Sequence, residues 1–153
     1  MKRVLEREQL VLLPKHQVFP FFADPSNLER LTPPSLRFTI LTPKPIPMKA
    51  GTLIDYRLRL FGVPFKWRTL IEAYEPGESF IDRQLRGPYR LWRHLHTFEE
   101  TSKGTMVRDR VEYELPFGVL GELTRRLFVG RQLETIFAFR RTAIEDVFKT
   151  AHA

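Results

Sequence analysis

A chain of 153 residues is long enough to bury one core and too short for two ordinary domains, so a single domain spanning 1–153 is expected. It contains no cysteine, which excludes disulfides and thiolate chemistry, and no run of about 18 apolar residues able to span a bilayer. The net charge of +7 is carried by singly placed arginines and lysines mixed with glutamates, the pattern of a solvated surface and not of a nucleic-acid track.

In chain order, Met1-Lys2-Arg3-Val4 leads straight into alternating polar and apolar residues instead of a secretory hydrophobic region, so a cytoplasmic protein is expected. Val4 to Leu13 reads as a first strand. Pro14 opens a short helix through Val18, Phe19, Phe21 and Phe22, and Asp24 caps a second, Asn27-Leu28-Glu29-Arg30-Leu31, which Thr32-Pro33-Pro34 stops. Leu36 to Leu41 reads as the next strand, and Pro43, Pro45 and Pro47 impose an extended connection to Gly51.

An antiparallel meander follows. Ile54, Tyr56, Leu58 and Leu60 share one face, a turn at Phe61-Gly62 reverses the chain, and Phe65, Trp67, Thr69, Ile71 and Ala73 return on that face. Reversals at Glu75-Pro76-Gly77-Glu78, Gly87-Pro88 and Ser102-Lys103-Gly104 separate three more strands, for about seven in all. After Pro116-Phe117-Gly118 the period becomes helical, with Leu120, Leu123, Leu127, Leu133, Phe137, Ile144 and Val147 or Phe148 on one stripe of a helix of about 30 residues. Arg125, Arg126, Arg131, Arg140 and Arg141 on that helix read as surface groups. The expected class is α+β, a curved antiparallel sheet wrapping a long C-terminal helix, with two short helices after the first strand.

Polar residues stand where this pattern puts the core. Asp82 and Gln84 share a face with Phe80, His94 and His96 alternate with Trp92 and Phe98, and Asp109 shares a face with Val111 and Tyr113. Burying such groups costs several kcal/mol, of order ~2–7, unless they are hydrogen-bonded or face a wet cavity. Short turns at Gly87-Pro88 and Ser102-Lys103 would set Asp82 opposite His94 and His96 opposite Asp109, giving two carboxylate–imidazole couples side by side. His16 and His152 read as surface residues.

With these residues in view, the chain resembles the START-like superfamily, also called SRPBCC or polyketide cyclase/dehydrase and lipid-transport proteins. The resemblance is carried by Asp24-Pro25-Ser26-Asn27-Leu28, Phe80-x-Asp82-x-Gln84-x-x-Gly87-Pro88, Trp92-x-His94-x-His96-x-Phe98 and Asp109-x-Val111-x-Tyr113-x-x-Pro116, and it spans nearly the whole chain. It is most similar to a bacterial ligand-binding subgroup. The resemblance implies the helix-grip fold, with a hydrophobic cavity between sheet and terminal helix, entered near the short helices and holding a lipid- or polyketide-like ligand.

Three readings of the polar cluster follow. The couples satisfy each other and fix strand register, they form the polar end of a ligand pocket, or they move protons in a cyclase or dehydratase reaction, with His94, His96, Asp82 and Asp109 as catalytic candidates. A metal is not assigned, because ligating histidines need outer partners and the aspartates cannot serve as both ligand and partner. The expected ligand site comprises Tyr56, Trp67, Asp82, Gln84, Trp92, His94, His96, Phe98, Asp109, Tyr113, Leu133 and Phe137, with Phe22 and Leu58 as further apolar wall. The expected partner is a small hydrophobic molecule, with no cofactor and no nucleic acid. A non-enzymatic module making transient membrane or protein contacts through the basic outer face is the alternative from another class.

Overall fold

The computed structural model describes residues 1–150. Its order is β1 (Arg3–Val11), α1 (Lys15–Phe22), two 3₁₀ turns (Pro25–Leu31 and Pro34–Leu36), β2 (Thr39–Ile40), β3 (Leu53–Leu60), β4 (Val63–Glu75), β5 (Ser79–Arg86), β6 (Leu91–Thr101) and β7 (Gly104–Glu114). The C-terminal helix runs as α2 (Gly118–Thr124), a π-helical turn (Arg125–Val129) and α3 (Gly130–Thr150). All seven strands form one antiparallel sheet in the order β1-β7-β6-β5-β4-β3-β2, so the chain closes its meander by laying β7 against β1.

The expected faces hold along β3 to β7 except at the end of β4, where a β-bulge between Ile71 and Ala73 turns Tyr74 instead of Ala73 toward the core, against Phe19. Ile54, Leu58, Leu60, Trp67, Ile71, Phe80, Phe98, Val107, Val111 and Tyr113 are buried, while several arginines between them on the outer face pair with acidic residues, as Arg93 does with Glu72 at 2.9 Å. The β3–β4 turn needs left-handed backbone at both central positions, and Phe61 (φ 53°) and Gly62 (φ 77°) supply it between the paired Leu60 and Val63. The β6–β7 turn is equally tight, since Thr101 pairs with Gly104 and every later residue keeps register.

Three expectations need correction. The strand expected over Leu36 to Leu41 shrinks to Thr39–Ile40, because Pro34 starts a 3₁₀ turn and Arg37 turns left-handed (φ 47°) behind it. The terminal helix carries a π turn, whose extra residue rotates the following stripe by roughly 100° relative to the preceding one. Val129, Leu133, Phe137, Ile144 and Phe148 are therefore buried, whereas Leu120, Leu123 and Leu127 are 66%, 51% and 51% exposed. Arg140, read as a surface group, is only 8% exposed.

Two apolar clusters make the core. One gathers Val18, Phe19, Phe22, Phe80, Phe98, Val107 and Ile144 near α1, and the other gathers Leu58, Leu60, Trp67, Tyr89, Val111, Tyr113, Leu133 and Phe137. Each buried side chain of this size is worth roughly 1.5–3 kcal/mol by area removed from water. The polar residues of β5, β6 and β7 lie in the seam between the clusters, with Phe80 stacked on His96 at 4.2 Å and Phe137 at 6.0 Å from His94.

Candidate functional site

Backbone register sets Asp82 opposite His94 and His96 opposite Asp109, as the turn lengths predict. The hydrogen bonds nevertheless cross the expected couples. His94 Nε2 lies 2.8 Å from Asp109 Oδ1, and His96 Nε2 lies 2.5 Å from Asp82 Oδ2. Sheet twist brings one diagonal of neighbours closer than the other, and an imidazole is long enough to use it. The directly opposed pairs stay wider, with His94 Nδ1 3.8 Å from Asp82 and His96 Nδ1 3.5 Å from Asp109. The two rings stack at 3.6 Å, so both imidazoles are held between the two carboxylates.

Arg140 completes the group from α3. Its guanidinium donates to Asp109 Oδ1 at 3.3 Å and lies 5.5 Å from the Phe22 ring. Its sequence signal is its place on the helical stripe, three residues after Phe137 and four before Ile144; its charge is what sets it apart from the apolar residues there.

Burial pushes the Asp109 carboxyl up, but the Arg140 charge and the His94 hydrogen bond outweigh it and hold the group well below the usual carboxylate range. Asp82 is likewise raised by burial and lowered further by its bond to His96 and the charges around it, for a net fall. Burial, followed by the neighbouring His94, depresses His96 to about 4 against the opposing pull of both aspartates. At neutral pH the site thus holds two carboxylates, a guanidinium and a neutral His96.

A cavity opens on one side of this group, with about 170 Å³ available to the centres of water-sized molecules. One water needs roughly 10–15 Å³ on that measure, so the cavity has room for on the order of ten. Of the residues expected at a ligand site, Tyr56, Trp67, Asp82, Trp92, His94, His96 and Phe137 line it, as do Phe22 and Leu58. Leu28, Leu31 and Leu36 of the short turns and Phe38 after them also line it, residues not expected at the site. Asp24 caps its turn as expected, accepting from the Ser26 amide at 3.0 Å, and Asn27 ties that turn to α1 through the Phe21 carbonyl at 2.9 Å.

The other expected residues lie elsewhere. Gln84 grips its own loop, donating to the Tyr89 carbonyl at 2.7 Å and accepting from the Tyr89 amide at 3.0 Å. Phe98 packs in the cluster near α1, and Tyr113 and Leu133 pack in the other cluster. Asp109 faces a second, outer cleft between β1 and α3, lined also by Arg7, Gln9, Glu134 and Arg140. The cluster of Asp82, His94, His96 and Asp109 therefore stands between the cavity and this second cleft. His16 is exposed, and His152 lies outside the described residues.

Within the cavity wall the Tyr56 hydroxyl pairs with Thr69 Oγ1 at 2.9 Å, while the Trp67 indole N–H is buried with no hydrogen-bond partner among the described residues. The wall thus combines apolar surface, the unmatched Trp67 N–H and the polar groups of Asp82, His94, His96 and Arg140.

Residues 11–139 match the family described as polyketide cyclase / dehydrase and lipid transport, and the chain belongs to that family. Among solved structures, the ZhuI aromatase/cyclase from Streptomyces sp. R1128 superimposes with a TM-score of 0.78 at 13% identity, covering 100% of this chain and 97% of that one. TTHA0849 from Thermus thermophilus gives 0.72 at 17% identity over 99% and 100% of the two chains. The di-domain ARO/CYC StfQ of the steffimycin biosynthetic pathway gives 0.77 at 14% identity, covering 99% of this chain and 52% of that one. At these identities the likeness is one of fold, the helix-grip architecture. A search of curated proteins found no match.

Proposed function

We propose that this protein binds a small hydrophobic molecule of lipid or polyketide character, with its oxygen-bearing end at Asp82, His94 and His96. The observation that carries this reading is an apolar cavity ending on buried, charged hydrogen-bonding groups. Apolar walls supply affinity without direction, and a few fixed polar groups supply orientation. The Trp67 N–H, left without a partner, suits a carbonyl or hydroxyl oxygen on the bound molecule.

Native mass spectrometry of the full chain purified from its host tests this directly, with a bound mass released on denaturation as the expected result. Titration with anilinonaphthalene sulfonate provides a second arm: native protein should enhance its fluorescence saturably, and Leu58→Trp, which fills the cavity, should abolish the response. A response unchanged by Leu58→Trp would end the proposal.

A second reading, cyclisation or dehydration, is favoured by the 2.5 Å contact between His96 Nε2 and Asp82 at the cavity end. Asp82 orients the ring and pulls its basicity up against the stronger effect of burial, which leaves His96 neutral at neutral pH and in the form that accepts a proton from carbon beside a carbonyl. Conversion of a linear poly-β-ketone by native protein, lost in His96→Gln while ligand binding persists, is the expected result for this reading. Equal conversion by native protein and His96→Gln would remove it.

A further inference from the structure

We propose that Asp82, His94 and His96 form a site for a divalent transition-metal ion, with Asp109 and Arg140 as its outer support. One donor atom from each of the three residues lies within 4.8 Å of the other two. The ligands of a zinc-sized ion stand about 3–3.5 Å apart, given metal–ligand bonds of about 2.0–2.2 Å. An ion among them would widen the 2.5 Å contact between His96 Nε2 and Asp82 and draw in the 3.8 Å contact between His94 Nδ1 and Asp82.

The hydrogen bonding of the rings leads to the same place. His96 Nδ1 is buried without a hydrogen-bond partner, 3.5 Å from Asp109 Oδ1. An unmatched polar atom in a buried cluster costs free energy. A cation bound by His94 Nδ1, His96 Nε2 and Asp82 relieves it, because the His96 N–H then sits on Nδ1 and points at Asp109.

The division of labour among the carboxylates also fits. Ligating histidines characteristically donate their other N–H to a carboxylate, which fixes ring orientation and strengthens the ligand. Asp109 stands behind both rings and is itself held by Arg140, while Asp82 stands on the cavity side. The sequence reading lacked this separation of ligand from partner. Two imidazoles and one carboxylate select a borderline ion such as zinc, cobalt(II) or iron(II) over calcium or magnesium, and three protein ligands leave further positions open toward the cavity.

The inference rests on the side-chain cluster and not on what fills the cavity, so chelator-treated protein can still bind a hydrophobic ligand even if it fails. The test is titration of chelator-stripped full chain with zinc or cobalt chloride alone. One equivalent per chain is expected, with imidazole and carboxylate in the cobalt coordination shell by X-ray absorption. Asp82→Asn and His94→Gln should weaken binding at least 100-fold and Asp109→Asn by about 10–100-fold. The double variant His16→Gln/His152→Gln should bind as native protein does. Absence of stoichiometric binding, a coordination shell without imidazole, or loss of binding in the His16/His152 variant each overturns the proposal, and the coordination shell of native protein decides even if the cluster variants fail to fold.

Discussion

His94 reaches past the residue directly opposite it on β7, Val111, to hydrogen-bond Asp109 two residues away at 2.8 Å. That diagonal puts Asp109 in contact with both a sheet histidine and the helix arginine Arg140. It joins sheet to helix through charge, beside the buried Gln9 of β1, which donates to the Arg141 carbonyl at 3.0 Å.

Removing one member of this contact should be costly. Asp109 and Arg140 retain only 8% and 9% of their side-chain exposure, so Arg140→Met leaves a buried carboxylate without its cation and should destabilise the fold by about 3–5 kcal/mol. Arg140→Met combined with Asp109→Asn should lose less than the sum of the two single changes. Urea denaturation of the four proteins measures the coupling, and strict additivity would show that the pair does not interact.

The acid side of the stability curve should have two stages. In the unfolded chain His96 takes up a proton near pH 6.5, whereas in the folded chain it does so only at about 4. Between these values the unfolded state binds more protons, so stability falls as pH drops through that window. Below it Asp82 and Asp109, both held under their ordinary value of 3.8, extend the loss in the same direction. His96→Gln should flatten the upper stage of the urea midpoint against pH and keep the part of the lower one that Asp109 and Arg140 set, and an unchanged upper slope would refute this assignment.

Gln84 should matter for stability and not for the bound molecule. Its two bonds to Tyr89 close the β5–β6 connection, and a methyl group on Gly87 would stand 2.5 Å from Gln84 Oε1. Gln84→Ala should lower stability by about 1–3 kcal/mol with unchanged probe affinity, and Gly87→Ala should also be destabilising. A large loss of probe affinity in Gln84→Ala at unchanged melting temperature would assign it to the site instead.

An exposed apolar face lies where the helix leaves the sheet. Phe117, Val119, Leu120, Leu123, Leu127 and Phe128 are each at least half exposed, and Phe128 meets the exposed Phe61 of the β3–β4 turn at 6.2 Å. Arg59, Lys66, Arg126 and Arg131 form no ion pair among the described residues, unlike the paired arginines of β6 and β7. Cosedimentation with vesicles containing anionic lipid should exceed that with neutral vesicles and fall with salt, and Leu127→Ser/Phe128→Ser should abolish it without lowering the melting temperature. Equal sedimentation by that variant would remove the membrane contact.

The sheet was legible because alternation is local: each strand from β3 to β7 carries its own buried and exposed faces, and the tight Thr101–Gly104 turn fixes the register of His96 with Asp109, while Asp82 meets His94 across a longer connection paired only from Arg83 and Arg93. The crossing of their hydrogen bonds was not legible, since it depends on twist and ring orientation that no pairing rule contains. Arg140 escaped because a long cationic side chain on a helix normally faces water, and only the Asp109 beneath it makes burial tolerable. The exposed Leu120, Leu123 and Leu127 were misplaced because one π turn shifts the phase of an otherwise regular stripe.

Arg140 lies near the middle of α3, and its bond to Asp109 acts there as a pivot. The helix cannot lift from the sheet at that point without separating buried charges, so any widening of the cavity must come from another part of its wall. The proline-bounded turns carrying Leu28, Leu31 and Leu36 also line the cavity, and they are short and held by few long-range hydrogen bonds. How long a guest stays inside is then governed by those turns, and how it is oriented by the histidines, so residence time and orientation can be altered separately.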